Sequence, residues 1–168
     1  RTLTPEEAQY NMRFLHLAND ILVFATHPSV TINNLSSQRI KQIYSGAITN
    51  WRSVGGPNAA IVVLDRPEHT SPKIALRELL FGKELLVSPQ AMSLERPWQM
   101  NESLRTVPYS IGYTSLADII RENLNVNVLS IDGVSPNQAN VESQKYMYFR
   151  PFGFVVGAAP SEDTMRLV

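Results

Sequence analysis

Apolar residues fall along this chain in short runs set off by polar, proline and glycine punctuation. Thr4-Pro5-Glu6-Glu7 reads as a helix start, with Thr4 as N-cap, Pro5 in the first turn and Glu7 closing a capping box. Phe14–Ala18 and Ile21–Thr26 read as two strands separated by Asn19-Asp20, and His27-Pro28-Ser29 ends the second. A serine of the Leu35-Ser36-Ser37-Gln38 stretch caps a helix that places Ile40, Ile43 and Tyr44 on one face. Gly46 stops that helix, and Gly55-Gly56-Pro57 marks a turn. Ile61–Leu64 is a continuous apolar run of the kind found in a strand buried on both faces. The polar loop Asp65–Ser71 then feeds a helix over Pro72–Phe81, whose apolar set is Ile74, Leu76, Leu79 and Leu80.

Further along, residues 83–107 read as helical in pieces. Ile111-Gly112-Tyr113 is a tight strand, and Ser115 caps a helix over Leu116–Asn123. Val126–Ile131 and Tyr146–Val156 are strands on either side of the polar loop Asp132–Ser143. Ser161, followed by Glu162 and Asp163, starts one more helix. Strands alternating with helices place the chain in the α/β class.

Composition narrows the function classes. The 168 residues suit one domain or two small lobes, and 15 basic against 15 acidic side chains leave no formal net charge. A surface driven onto nucleic acid by counterion release is therefore not expected. Cysteine is absent, which removes disulfides, thiolate metal sites and cysteine nucleophiles. His16, His27 and His69 lie far apart without helical pairing, so neither a metal site nor any cofactor is expected. No nucleophile–base pair or close carboxylate pair points to an enzyme. The longest apolar run, around Ile21–Ala25, is far short of the roughly 20 residues that span a bilayer. An opening at Arg1, with no signal peptide, reads as a trimmed or mature piece of chain.

One loop concentrates chemistry. Asp65-Arg66-Pro67-Glu68-His69-Thr70-Ser71-Pro72-Lys73 joins a strand's carboxyl end to a helix start, where α/β proteins place ligands. With Ser71 as N-cap and Pro72 first in the helix, the N–H groups of Lys73 and Ile74 point outward at the positive end of the helix dipole. Thr70 and Ser71 add hydroxyl donors, and Arg66 adds a planar fork suited to a tetrahedral oxyanion. On spacing alone, a capped loop with a surface ion pair between Arg66 and Glu68 or Asp65 is the simpler account. Trp51 and Trp98 read as core anchors before cleft linings.

Longer segments change that balance. Leu35–Trp51, LSSQRIKQIYSGAITNW, followed by GGPNAAIVVLDR, resembles the first stretch of the inner lobe in phosphate-binding proteins of bacterial ABC transporters. That family's pattern is a leucine, a short helix, I-F-x-G-x-I-x-x-W and a strand ending in arginine. Ile111-Gly112-Tyr113 resembles its A-I-G-Y. Ser130–Pro151, SIDGVSPNQANVESQKYMYFRP, resembles its G-x-x-P-x-x-x-x-I-x-x-x-x-Y-P-x-x-R-P. RTLTPEE at Arg1–Glu7 is similar to the S-R-x-L-T-x-E-E that follows the first lobe's ligand loop. These segments run in the family's order over nearly the whole chain.

The resemblance implies a type II periplasmic-binding fold, with one complete lobe and part of a second. Residues 28–126 would form the second lobe, carrying the ligand loop, and 1–27 with 127–168 a partial first lobe with the hinge crossings. It implies a non-catalytic, extracytoplasmic protein, periplasmic or membrane-tethered, that hands an inorganic oxyanion, phosphate above others, to an ABC-transporter permease. In the family the strand-end arginine is followed by an acidic residue and then G-S-G-T. Arg66 matches the arginine, Glu68 the acidic residue that braces it, and Thr70 the serine. His69, Ser71 and Lys73 complete the expected anion-binding set. Yet His69 and Ser71 stand where glycines are usual, and Pro72, with no N–H, stands where a threonine gives both hydroxyl and amide. Two donors are thereby lost, each worth about 1.5–3 kcal/mol to a charged group. His69 and Lys73 would compensate electrostatically, with His69 making binding pH-dependent near about pH 6.5. Those departures keep a second reading open, a binding-protein-like module with an altered ligand that serves sensing or protein contact.

Overall fold

Leu22 and Phe24 face one side of a long strand and Val23 and Ala25 the other, and all four are buried. Each side therefore meets its own core, which is why this run is apolar without alternation. The strand, β1, spans Arg13–Thr26 in the computed structural model, which describes residues 3–158 and 166. It is one element rather than the expected two. Asn19 and Asp20 do not interrupt it: Asn19 bonds His16, and Asp20 holds the Arg150 guanidinium at 2.6 Å.

Ahead of β1, α1 (Pro5–Gln9) begins with the predicted capping box, Thr4 and Glu7 exchanging bonds of 3.2 and 2.7 Å. After it come β2 (Asn34–Leu35), α2 (Ser37–Tyr44), a 3₁₀ turn at Trp51–Val54, and β3 (Val62–Asp65). Ser36 caps α2 by accepting from the Arg39 N–H. The helix α3 is α-helical only over Ser71–Leu76 and widens into a π turn at Arg77–Phe81. Of residues 83–107, only α4 (Pro97–Thr106) is helical, and β4 (Met92–Ser93) precedes it. Next follow β5 (Ser110–Ser115), α5 (Leu116–Arg121), β6 (Asn127–Val128), β7 (Ser130–Ile131), α6 (Gln138–Glu142) and β8 (Phe149–Val156). The loop expected at Asp132–Ser143 thus contains α6, capped by Asn137. The helix expected after Ser161 falls outside the described residues.

The main sheet runs β4-β3-β5-β1-β6, with β8 also paired to β1, and β2-β7 form a separate ladder. β3 is parallel to both β4 and β5, whereas β5 and β6 run antiparallel to β1. One face of the sheet carries the larger core, which includes Phe24, Tyr44, Trp51, Phe81, Tyr113 and Tyr146. Phe24, Tyr44, Phe81 and Tyr113 form a cluster with ring centroids 5.0–6.2 Å apart. The other face packs Val23, Ala25 and Leu64 against Met100, Leu104 and Ile119 of α4 and α5. The architecture is α/β, with helices on both faces.

Trp51 is a fully buried anchor whose indole N–H donates to the Tyr109 carbonyl at 2.8 Å. Trp98 is not: it lies on the surface of α4. Gly112 explains itself by space, since a Cβ there would lie 2.5 Å from Met100 Sδ and 3.2 Å from Leu64 Cβ. The chain divides into two compact units, Ile21–Phe149 and a smaller one of Arg1–Asp20 with Arg150–Val168. Among the described residues no helix is long and apolar enough to cross a membrane.

Candidate functional site

The loop singled out in the sequence leaves the carboxyl end of β3, which lies between β4 and β5 in the larger unit's sheet, and enters α3. Three charged residues are buried among those described, Asp65, Arg66 and Lys73, and all three belong to this junction. Buried charge is costly unless paired, so the way these three are partnered defines the site.

Asp65 is fully committed. Lys73 Nζ donates to both of its oxygens, at 2.8 and 2.6 Å, and the Tyr113 hydroxyl donates to Oδ1 at 2.8 Å. The same tyrosine oxygen accepts from the Arg66 N–H at 3.1 Å. Tyr113 stands on β5, beside β3, so the parallel pairing of those strands brings it to the loop. Burial, reinforced by the Asp65 charge, pushes the Tyr113 phenol well above its ordinary range, so it remains a neutral donor. Burial does the same to Tyr44, whose hydroxyl donates to the Leu64 carbonyl at 3.1 Å.

Arg66 is not fully partnered. One terminal nitrogen donates to the Glu95 carbonyl at 3.1 Å, while Nε is buried with no hydrogen-bond partner. Among the described residues it forms no ion pair, although it is only 7% exposed. A guanidinium is always charged and carries five donors. A buried one lacking a counter-ion is an unusual arrangement whose chemical meaning is attraction for an anion.

The other expected site residues divide. Glu68 does not brace Arg66; it grips Arg77 with both carboxylate oxygens, at 2.9 and 2.5 Å. Those bonds hold the Glu68 carboxyl below its ordinary value and raise the Arg77 guanidinium. Arg77 further donates to the Gly82 and Leu85 carbonyls, tying the loop to the segment beyond the π turn. Lys73 turns inward, fully buried, with Nζ over the Phe81 ring at 5.3 Å. His69 and Ser71 are exposed. Thr70 is half-buried, and its hydroxyl donates to the Pro67 carbonyl at 2.8 Å.

Thr70, not Ser71, is the N-cap, which moves the helix start back by one residue. The Ile74 N–H is consequently inside the helix, bonded to the Thr70 carbonyl at 2.9 Å. Ser71 and Lys73 are then the first-turn residues with an N–H, because Pro72 has none.

Sequence reasoning did not assign Tyr113, Arg77 or the Glu95 carbonyl to the site. Tyr113 and Glu95 arrive from distant segments, and no local spacing announces them. Arg77 had a faint signal. Lys73 and Arg77 are i, i+4 neighbours on one helix face, and two carboxylates, Asp65 and Glu68, lie just upstream to receive them.

Comparison with known proteins places this geometry in context. Residues 1–167 match the family model described as a PBP superfamily domain. The phosphate-binding protein PstS of Borreliella burgdorferi is 29% identical over 155 residues, covering 87% of this chain and 55% of that protein. The Bacillus subtilis phosphate-binding protein PstS is 26% identical over 123 residues, covering 73% of this chain and 39% of its own length. The chain thus spans about half the length, or less, of these curated relatives. A crystal structure from Clostridium perfringens, described as a phosphate ABC transporter substrate-binding protein with bound phosphate, superposes with a TM-score of 0.82. It is 27% identical, covering 98% of this chain and 65% of that one.

Proposed function

The chain belongs to the PBP superfamily, with the α/β fold of type II periplasmic binding proteins, and on that footing we propose that it is part of an extracytoplasmic solute-binding protein holding inorganic phosphate. Phosphate is then delivered to the membrane permease of an ABC transporter, without catalysis. The names of the relatives support this reading, and one observation in the molecule carries it. Arg66 is buried at the carboxyl end of β3 with Nε unpartnered and no counter-ion among the described residues. Asp65 cancels Lys73 and Glu68 cancels Arg77, which leaves Arg66 as the uncompensated charge.

In this reading Arg66 binds two phosphate oxygens with its fork. Ser71 and His69, on the exposed side of the loop, complete the contact together with the first-turn N–H groups, and Thr70 rotates its hydroxyl to join them. Glu68 supports the loop through Arg77. The division into lobes belongs to the same proposal, 28–126 carrying the loop and 1–27 with 127–168 forming part of the other. The observed compact units share that nesting but not those boundaries.

Isothermal titration calorimetry on the natural full-length protein tests the assignment. Arg66→Ala removes two charge-assisted bonds at about 1.5–3 kcal/mol each, so phosphate affinity falls roughly 100- to 10,000-fold. No heat with phosphate, sulfate, molybdate or tungstate at millimolar ligand would overturn it, as would an Arg66→Ala protein that binds normally.

One observation favours a second reading, an altered-ligand module for sensing or protein contact. Pro72 and the internally bonded Ile74 leave the first turn short of amide donors. Pro72→Thr combined with Ser71→Gly separates the two. A large gain in phosphate affinity supports lost binding, and no change counts against it.

A further inference from the structure

A buried lysine at the start of a helix, seven residues after an anion-binding arginine, invites assignment as a second ligand for the anion. The geometry of Lys73 says otherwise. Its side chain has no exposed surface, its ammonium donates to both Asp65 oxygens, and Phe81 covers it. Glu68 Oε1 stands 3.6 Å away, and Glu68 is itself held by Arg77.

Asp65 is the immediate sequence neighbour of Arg66. Were the Asp65 carboxylate to pair with Arg66, it would both neutralise the guanidinium and occupy its donors. That pairing is absent. All three bonds recorded at the Asp65 carboxylate come from Lys73 and Tyr113, and Tyr113 at the same time holds the Arg66 backbone N–H.

We propose that Lys73 sets anion affinity without touching the anion: by capturing Asp65, it reserves the charge and donors of Arg66 for the ligand. This rests on Arg66 being the anion-binding group. Lys73 is thus a positioning residue, and its effect is transmitted through the Asp65 carboxylate. The same device makes the junction tolerant of an acidic residue at the strand end, because the buried charge of Asp65 is neutralised locally.

The proposal predicts effects of opposite sign for the two partners. Lys73→Met leaves the Asp65 charge unneutralised beside Arg66, and phosphate affinity falls roughly 10- to 100-fold, the scale of one unit charge acting over about 6–10 Å at an effective dielectric near 20. Asp65→Asn, which leaves Lys73 facing only the Glu68 carboxylate at 3.6 Å, binds phosphate at least as tightly as the natural protein. The double variant Asp65→Asn/Lys73→Met returns to within about threefold of natural affinity. All are measured by calorimetry in the full-length protein with inorganic phosphate, folded fraction being checked by circular dichroism. Should Lys73→Met unfold, the other two variants still decide. A purely structural role for Lys73 would give losses for Asp65→Asn and no rescue in the double variant. Either result overturns the proposal, as does unchanged affinity in folded Lys73→Met. If natural protein binds phosphate and Arg66→Ala does not, such a result sinks only this inference; if Arg66→Ala binds normally, the site assignment fails with it.

Discussion

Replacing Tyr113 with phenylalanine removes one oxygen that serves two buried groups at once. The hydroxyl donates to Asp65 Oδ1 at 2.8 Å and accepts from the Arg66 N–H at 3.1 Å. Phenylalanine keeps the ring among Phe24 and Tyr44, at 5.9 and 6.1 Å between centroids, so packing changes little. The cost is polar. A buried backbone N–H left without a partner loses about 1–3 kcal/mol, and the lost bond to a charged carboxylate adds about 1.5–3 kcal/mol before relaxation. Lys73 still holds both Asp65 oxygens, which limits the second figure. A net loss of about 2–5 kcal/mol follows, or a fall of roughly 5–15 °C in Tm for a chain of this size. Guanidinium denaturation of natural and Tyr113→Phe protein measures it, with the m-value showing whether the transition remains comparable. A change below about 1 kcal/mol would refute the view that this hydroxyl organises the loop.

Two further outcomes follow from the same geometry. Gly112→Ala places a methyl 2.5 Å from Met100 Sδ and 3.2 Å from Leu64 Cβ. Met100 can move but Leu64 Cβ cannot, so the denaturation midpoint shifts to a loss of about 1–3 kcal/mol, the usual cost of overpacking. Glu68 gives a pH signature. Its pairing with Arg77 holds the folded-state carboxyl below the ordinary 4.5, so the stabilisation is complete above that value and is lost as pH falls through the lower folded one. The stability difference between natural and Glu68→Gln protein should therefore be largest near neutrality and shrink steadily below pH 4.5. A gap that widens on acidification would show that the pair is not what Glu68 contributes.

Several elements were plain in the sequence because their causes are local. Thr4 and Glu7 close their capping box within one turn, Ser36 and Ser115 cap the helices that follow them, and Ile61–Leu64 reads as a buried strand from apolarity alone. The α/β class follows from alternation of such segments, and their order carried the family resemblance. Asn19-Asp20 misled because strand pairing and the Arg150 contact outweigh the turn preference of those residues. The segment ahead of α4 misled because apolar spacing at 83–96 satisfies the core without forming helical hydrogen bonds. Trp98 sits exposed because size alone does not decide which face of a helix is buried.

At the site, residue types and the strand-to-helix position of Asp65–Lys73 were set by sequence alone, as was the presence of a guanidinium there. Which charge remains available was not. That depends on Tyr113 crossing from β5, on Lys73 turning inward to Asp65, and on Arg77 drawing Glu68 away from Arg66. Each is a choice among several sterically accessible partners for a long side chain, and only burial in a particular neighbourhood makes one of them cheaper than the rest.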